Sequence, residues 1–237
     1  MEEKVSGIVL SAINYAENDK ILTVFTLEQG VVSARIKGVK KAGAKLKFAS
    51  EPFCFAQFIF SKKGKYRTVI GASLIESFYS LRESLDRFFA GGTVLEFVRK
   101  FLKEGATDPE LFSLVIATLK DMAFSDNSVK YTLCAFLIKA LALSGYALKL
   151  DGCFGCGCSK MDRVFFDYDF GGFFCQDCLT ENCKEIRVST LEDLIKIQKG
   201  QTVEDLTCIY PLKLLDYYLT KKTEEKINSL KELINMA

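Results

Sequence analysis

Residues 153–183 read CFGCGCSKMDRVFFDYDFGGFFCQDCLTENC. Cys153 and Cys156 form one Cys-x-x-Cys pair and Cys175 and Cys178 a second, with eighteen residues between Cys156 and Cys175. Each pair sits on a tight turn that aims two thiolates at one centre, and two such pairs make a four-sulfur zinc site. Gly155 and Gly157 flank Cys156 and permit the bent backbone of a knuckle. Between the pairs, Arg163–Phe170 is aromatic and partly alternating, Gly171-Gly172 reads as a turn, and Phe173-Phe174 as the return. The expectation is a zinc-ribbon-like hairpin, held by metal because it is too small to hold itself.

The competing reading makes these cysteines reduced core residues or disulfides. Disulfides suit secreted chains, and the acidic start Met1-Glu-Glu-Lys lacks the basic opening of a signal peptide. Cys158 stands as an alternative to Cys156, although a Cys-x-Cys pair makes a poorer knuckle; Cys183 lies five residues past Cys178 and reads as a bystander. Four thiolates fill a zinc shell and leave no open position for water. The chain contains no histidine, so the usual catalytic zinc ligand and the usual general base are both missing. The zinc, one per chain, is expected to be structural.

The 237 residues suffice for one large domain or two modest ones, and the 49% hydrophobic content supports a sizeable core. Net charge is only +2, which excludes a nucleic-acid binder that works by bulk charge. The charge is uneven. Residues 1–80 hold 12 Lys and Arg against 7 Asp and Glu, and residues 81–237 hold 20 against 23. The longest apolar run, near Leu133–Leu143, contains Lys139 and is too short to span a bilayer. Nine cysteines without a secretory start imply a reducing cytoplasm.

The first 80 residues read as β-structure. Strands are expected at Val5–Tyr15, Lys20–Leu27, Val31–Val39, Phe53–Ser61 and Tyr66–Phe78, with a tight turn at Glu28-Gln-Gly30 and a basic loop over residues 40–50. Five short strands without a helical period suggest a small Greek-key barrel of the OB-fold type. From Leu81 the period becomes helical. One helix spans Leu85–Leu102, with a possible kink at Gly91-Gly92, and the next opens on Asp108 as N-cap with Pro109 in its first position. A third, about Val129–Ser144, is apolar nearly all round and ends at Gly145. Ser189 and Glu192 suggest a capping box for a helix ending at Gly200, and two further helices lie near Pro211–Leu219 and Glu224–Ile234, the latter capped by Thr223. The fold class expected is α+β. Residues 1–80 form an OB-fold nucleic-acid-binding domain, and residues 81–237 a helical domain with the zinc-binding insertion at about 151–185.

No catalytic set is visible: no P-loop, no GxSxG, no GxGxxG with an acidic partner. Glu17 and Asp19 read as a turn feature rather than an acid/base pair. Cys54, Cys134 and Cys208 lie in apolar surroundings and read as core. An enzyme with a small-molecule substrate is therefore not expected. The informative stretch is basic. Residues 35–67 hold ten basic side chains (Arg35, Lys37, Lys40, Lys41, Lys45, Lys47, Lys62, Lys63, Lys65 and Arg67) against the single acid Glu51. They read as a phosphate track beside a β-surface, with Phe48, Phe58, Phe60 and Tyr66 as nearby aromatics. Near the end of the chain, Lys213, Lys221, Lys222 and Lys226 lie close to Leu214, Tyr217 and Tyr218, a candidate receptor for an acidic peptide tail.

These parts together resemble the RecO family of bacterial recombination and repair proteins. The resemblance rests on Tyr15-Ala-Glu17-Asn-Asp19-Lys20, Phe25-Thr26 with Gly30, and Ala34-Arg35-Ile36-Lys37-Gly38-Val39-Lys40-Lys41. The cysteine pairs and the stretches Leu214-Leu-Asp-Tyr-Tyr218 and Ser229-Leu230 follow in the family's order, so the match covers nearly the whole chain. It implies a non-enzymatic mediator that binds single- and double-stranded DNA and anneals complementary strands. It further implies engagement of the acidic tail of single-stranded-DNA-binding protein, and cooperation with RecR to load RecA. The alternative is a zinc-ribbon RNA-binding or transcription-associated protein, which would prefer structured RNA.

Overall fold

The structure, a computed structural model, describes residues 2–64, 66–204 and 208–236. The chain divides into two compact units, Met1–Phe124 and Ser125–Ala237.

The first unit opens with β1 (Glu2–Tyr15), β2 (Asp19–Thr26), β3 (Gly30–Ile36), β4 (Phe55–Lys63) and β5 (Tyr66–Glu76), which close into a barrel in the order β1-β2-β3-β5-β4. Neighbours are antiparallel except β3 and β5, which pair in parallel at Arg35 with Thr68 and Ile36 with Val69. Closure leaves no edge strand to template aggregation. Alternation along β4 sends Ala56, Phe58 and Phe60 inward, where they meet Val9, Leu22, Val24 and Ile36. β1 pairs with both β2 and β4, and a bulge between Val9 and Ser11 gives it the bend that this requires. The expected basic loop after β3 is more ordered than its composition suggests, since Lys47–Ser50 form one turn of 3-10 helix that tucks Ala49 and Ser50 inward.

Two helices belong to the same unit, α1 (Leu85–Phe101) and α2 (Pro109–Phe124). The Ser84 hydroxyl caps α1 by accepting from Arg87 N at 3.3 Å, and Asp108 Oδ1 caps α2 by accepting from Leu111 N at 2.8 Å. The glycine pair in α1 does not break it. A Cβ on Gly91 would stand 2.9 Å from the Phe53 ring, so the glycine is needed for close approach, not for bending. Helix residues meet outward-facing barrel aromatics: Phe112 packs edge-on against Phe25 at 5.2 Å and Phe55 at 6.1 Å, and Phe88 against Phe53 at 5.9 Å. Beside the β2–β3 turn, Gly30 has φ +67°, and a Cβ there would lie 1.8 Å from the carbonyl oxygen of Ala106. Gly105 N donates to Val31 O at 2.8 Å in the same place.

The second unit contains α3 (Val129–Leu143), β6 (Lys149–Cys153), β7 (Val164–Asp167), β8 (Gly172–Phe174), β9 (Cys183–Ile186), α4 (Val188–Gln198), α5 (Ile209–Thr223) and α6 (Asn228–Asn235). α3 is central, as its all-round apolar pattern requires, with Leu133, Cys134, Leu137, Ala140 and Leu141 inaccessible and α4 and α5 packed on it. Gly145, at φ +84°, ends it, with Tyr146 N donating back to Leu141 O at 2.8 Å. The expected capping box is not formed: α4 starts two residues earlier, with Arg187 as N-cap and Ser189 inside the helix. Nor does Thr223 cap α6, which starts later, with Ile227 at the N-cap; α5 instead runs on to Thr223. The expected hairpin is present as β7–β8, but within a four-stranded sheet of order β6-β8-β7-β9. Its turn is organised by buried Asp167, which accepts from Asp169 N at 2.8 Å, Phe170 N at 3.1 Å and Thr180 Oγ1 at 2.6 Å.

Asp19 is the structural acid of the barrel. Its Oδ1 accepts from Gly38 N at 2.7 Å and its Oδ2 from Arg35 Nε at 2.7 Å, tying the end of β3 to the start of β2. The Gly38 N–H, then Arg35, hold its carboxyl below the usual carboxylate range. A depressed folded-state pKa gives stability that is present above about pH 4 and lost as pH falls further. The urea midpoint of the first unit is expected to decline through that acid window. Asp19→Asn is expected to lower the midpoint at neutral pH and to flatten the acid dependence; an unchanged acid profile would remove Asp19 from this role.

Candidate metal centre and nucleic-acid interface

The ribbon's hydrophobic cluster is small, with Cys153, Phe165, Phe174 and Cys175 buried and Met161, Cys158, Cys178 and Cys183 against it. Cys153 ends β6, Cys156 follows in the knuckle, Cys175 follows β8, and Cys178 lies on a short 3-10 turn. Their four Sγ atoms lie within 4.8 Å of one another, an arrangement that could hold a metal ion. Cys153 Sγ is 3.7 Å from Cys175 Sγ, and Cys156 Sγ is 3.8 Å from it. Gly155 is required here by space: a Cβ would stand 2.8 Å from Cys178 Cβ and 3.0 Å from its Sγ. Gly157 is required by conformation, at φ +76°. Burial pushes the Cys153 thiol up, but backbone N–H groups of Cys175, Cys156 and Gly155 outweigh it and hold the thiol at about 6. Cys175 N donates to Cys153 Sγ at 3.3 Å. Such donors stabilise thiolate, the form that binds metal.

The two additional cysteines of the segment are not among these four, although the Cys158 thiol interacts with those of Cys156 and Cys175. Cys158 carries the carbonyl that accepts from Cys153 N at 2.8 Å. Cys183 lies in β9, its Sγ 3.2 Å from Thr180 Oγ1. Cys54, Cys134 and Cys208 are buried, and burial raises the Cys54 thiol to about 12.

The ten basic side chains of residues 35–67 fall into two groups. Lys37, Lys40, Lys41, Lys45 and Lys47 are all exposed along the segment that follows β3. Lys40 N donates to Asn18 O at 3.1 Å, which seats this segment against the β1–β2 turn, and Lys37 and Lys41 line a hollow of about 440 Å³ there. Lys63 is exposed at the end of β4, and Lys65 lies outside the described residues. The rest are held by acids of the barrel itself. Arg35 pairs with Asp19 and stands 5.0 Å over the Tyr15 ring. Lys62 Nζ is 3.6 Å from Glu3, and Arg67 Nε is 3.8 Å from the same carboxylate while its guanidinium donates to Gln29 at 3.3 Å.

The four aromatics named with this track separate sharply. Phe58 and Phe60 stack on each other at 5.8 Å inside the core, and Phe48 is half-buried against it. Tyr66 is exposed, and Tyr15, which the sequence reading did not single out as an aromatic contact, is 46% exposed at the end of β1.

The four lysines near the end of the chain are spread rather than clustered. Lys213 lines a groove of about 680 Å³ with Tyr168, Arg187, Tyr210, Leu214 and Tyr217. Lys221 lines a separate hollow of about 280 Å³ with Lys184 and Tyr217. Lys222 Nζ donates to the carbonyl of Asp169, and Lys226 is exposed past the end of α5. Leu214 and Tyr218 are buried, at 5% and 1%, so of the three apolar neighbours only Tyr217 is accessible. Lys184, Arg187, Tyr168 and Tyr210 were not anticipated. Lys184 lies on β9, which carries no alternation that would have marked it, and Arg187, Tyr168 and Tyr210 come from three other places in the chain.

Two family models match the chain: Recombination protein O N terminal over residues 1–78 and Recombination protein O C terminal over residues 82–231. Among curated relatives, the DNA repair protein RecO of Desulforamulus reducens is 30% identical over 233 residues, spanning 92% of this chain and 90% of its own. That of Pelotomaculum thermopropionicum is 33% identical over 193 residues, spanning 81% and 75%. That of Caldicellulosiruptor saccharolyticus is 29% identical over 195 residues, spanning 82% and 79%. Matched by both models over residues 1–78 and 82–231, and by relatives at 30% identity or more over most of its length, the chain belongs to the RecO family.

Proposed function

We propose that this chain is a DNA-binding mediator of DNA repair and recombination, acting by binding rather than by turnover. Family membership supports the repair role, and one observation carries the DNA reading: five exposed lysines in a row beside a closed OB-type barrel. In this reading the barrel of residues 1–80 tracks phosphates with Lys37, Lys40, Lys41, Lys45, Lys47 and Lys63. Arg35, Lys62 and Arg67 shape that surface through their acids, and Tyr15 and Tyr66 offer rings to unpaired bases. The protein anneals complementary strands and, with RecR, helps load RecA onto DNA coated with single-stranded-DNA-binding protein. The acidic tail of that protein meets the end of α5, at Lys221, Lys222 and Lys226 with the exposed Tyr217 beside them. The site of action is the cytoplasm; among the described residues, no helix is long and apolar enough to cross a membrane.

The cysteine set fits zinc. Four thiolates about a zinc at about 2.3 Å form a tetrahedron with edges of about 3.8 Å; Cys175 Sγ lies 3.7 and 3.8 Å from those of Cys153 and Cys156, and all four lie within 4.8 Å of one another. Cys153, Cys156, Cys175 and Cys178 would hold it, and with four protein ligands its contribution is to the fold of the ribbon.

Elemental analysis is expected to find one zinc per chain in protein purified without chelator. Cys175→Ser should lose the metal and unfold the ribbon, since structural zinc supplies roughly 10–16 kcal/mol in small peptides. Cys158→Ser should retain it; metal loss in that variant with retention in Cys156→Ser would reassign the ligand.

Binding to single-stranded DNA is expected to be indifferent to sequence. Each phosphate neutralised contributes about −0.7 to the slope of log affinity against log salt. Replacing Lys40 and Lys41 together by alanine should flatten that slope and weaken all sequences alike. An unchanged slope would place the main DNA surface elsewhere, and tighter binding of structured RNA than of single-stranded DNA would favour an RNA-binding protein.

For the tail, calorimetry with a synthetic acidic peptide should register a loss of affinity in Lys221→Glu with Lys222→Glu while DNA affinity holds. Intact peptide binding with intact salt dependence would make these lysines ordinary surface.

A further inference from the structure

The groove between β9 and α5 has a composition that the acidic-tail reading does not need. Two cations line it, Arg187 at the N-cap of α4 and Lys213 on α5; Lys184 on β9 stands in the adjoining hollow, which also holds Asp169, Glu181 and Lys221. Three tyrosines wall it, Tyr168, Tyr210 and Tyr217. Arg187 and Lys184 lie against the rings. The Arg187 guanidinium carbon is 3.8 Å above the centre of Tyr210, and Lys184 Nζ is 4.5 Å above Tyr217 and 6.0 Å from Tyr168. Lys184 Nζ also donates to Tyr217 Oη at 3.0 Å. One carboxylate lines the groove, Glu185, and Arg163 engages it at two points, each 2.8 Å. The groove is therefore positively charged, with flat π-surfaces between the charges.

We propose that this groove is a second binding site for an unpaired nucleic-acid strand, separate from the barrel and built wholly within residues 168–217. The inference rests on the DNA-binding reading above. A single strand offers two things in alternation, a phosphate and a flat base. Lysine and arginine take the first, and tyrosine rings or a guanidinium plane take the second. A duplex hides its base faces, and so has no use for the three rings. An acidic peptide uses the cations but leaves the stacked Arg187–Tyr210 plane without a partner of its own kind. Tyr210 and Tyr217 lie seven residues apart on α5, about 10 Å along the helix axis, which leaves room for more than one base. A chain with two strand sites can hold one strand on each, which annealing of complementary strands requires.

The test uses the full-length, zinc-loaded protein and a fluorescein-labelled oligothymidylate, read by anisotropy over a salt series. The groove is best seen in a Lys40→Ala, Lys41→Ala background, where barrel binding is weakened. There, Arg187→Ala with Lys213→Ala should reduce residual affinity about tenfold and flatten the salt slope by about 1.4, the loss of two phosphate contacts. Tyr210→Ala should weaken binding about fivefold or more, and Tyr210→Phe should not. In the otherwise unaltered protein, the groove substitutions should slow pairing of complementary oligonucleotides while the barrel still binds one strand. Unchanged affinity, slope and pairing rate in folded, zinc-loaded groove variants would overturn the proposal. So would loss of acidic-peptide binding with oligonucleotide binding intact. If the barrel lysines prove silent while the groove variants weaken binding, the barrel reading falls and the groove stands. Absence of any oligonucleotide binding by the unaltered protein would overturn both.

Discussion

Four sulfur atoms within 4.8 Å of one another cannot all be thiolates unless a cation lies between them. That constraint governs the ribbon. Its strands are three to five residues long, and only a handful of side chains form its hydrophobic cluster. Burial of that size does not offset the ordering of some thirty residues. The backbone has been arranged around the sulfurs instead: the knuckle glycine leaves space for Cys178, and amide N–H groups converge on Cys153. β9 is one of these strands, so Lys184 sits on the ribbon and Arg187 directly follows it. A metal held by these four sulfurs would thus fix where those cations stand.

The barrel obeys a different economy of charge. Asp19 and Glu3 consume three of its basic side chains, Arg35, Lys62 and Arg67, in fixing strand ends. The lysines after β3 remain exposed. Surface pairs of this kind contribute little stability individually. Their effect is to orient the guanidinium of Arg35 over Tyr15 and to neutralise the two carboxylates locally.

The parts legible in the sequence were those with a local physical signature. Alternation and turn residues marked all five barrel strands to within a few positions, because each buries one face. Asp108 and Gly145 marked helix ends through hydrogen bonds that their own types make possible. The cysteine pairs marked the converging sulfur set because metal geometry restricts spacing. What failed was non-local. β6 and β9 are strands only because β8 and β7 lie beside them. Ser189 had the right neighbour for a capping box, yet the chain entered α4 earlier. Asp19 looked like a turn residue, and its engagement of Arg35 and Gly38 depends on a barrel that no short window contains. The cation–tyrosine groove was illegible for the same reason: it joins β9, ending at Ile186, to α5, starting at Ile209.

The contact at Gly30 has a consequence for how this protein can be taken apart. A side chain there would overlap the Ala106 carbonyl, and Val31 pairs with the same connection between α1 and α2. Phe25 and Phe53 owe their burial partly to Phe112 and Phe88. The two family models meet near residue 80, but the physical seam does not. A fragment cut at that meeting point would carry a closed barrel with bare aromatic rings on its outer wall, and would aggregate through them. Recombination between relatives that exchanged segments there would inherit the same flaw, whereas an exchange after Phe124 would carry barrel and cover together.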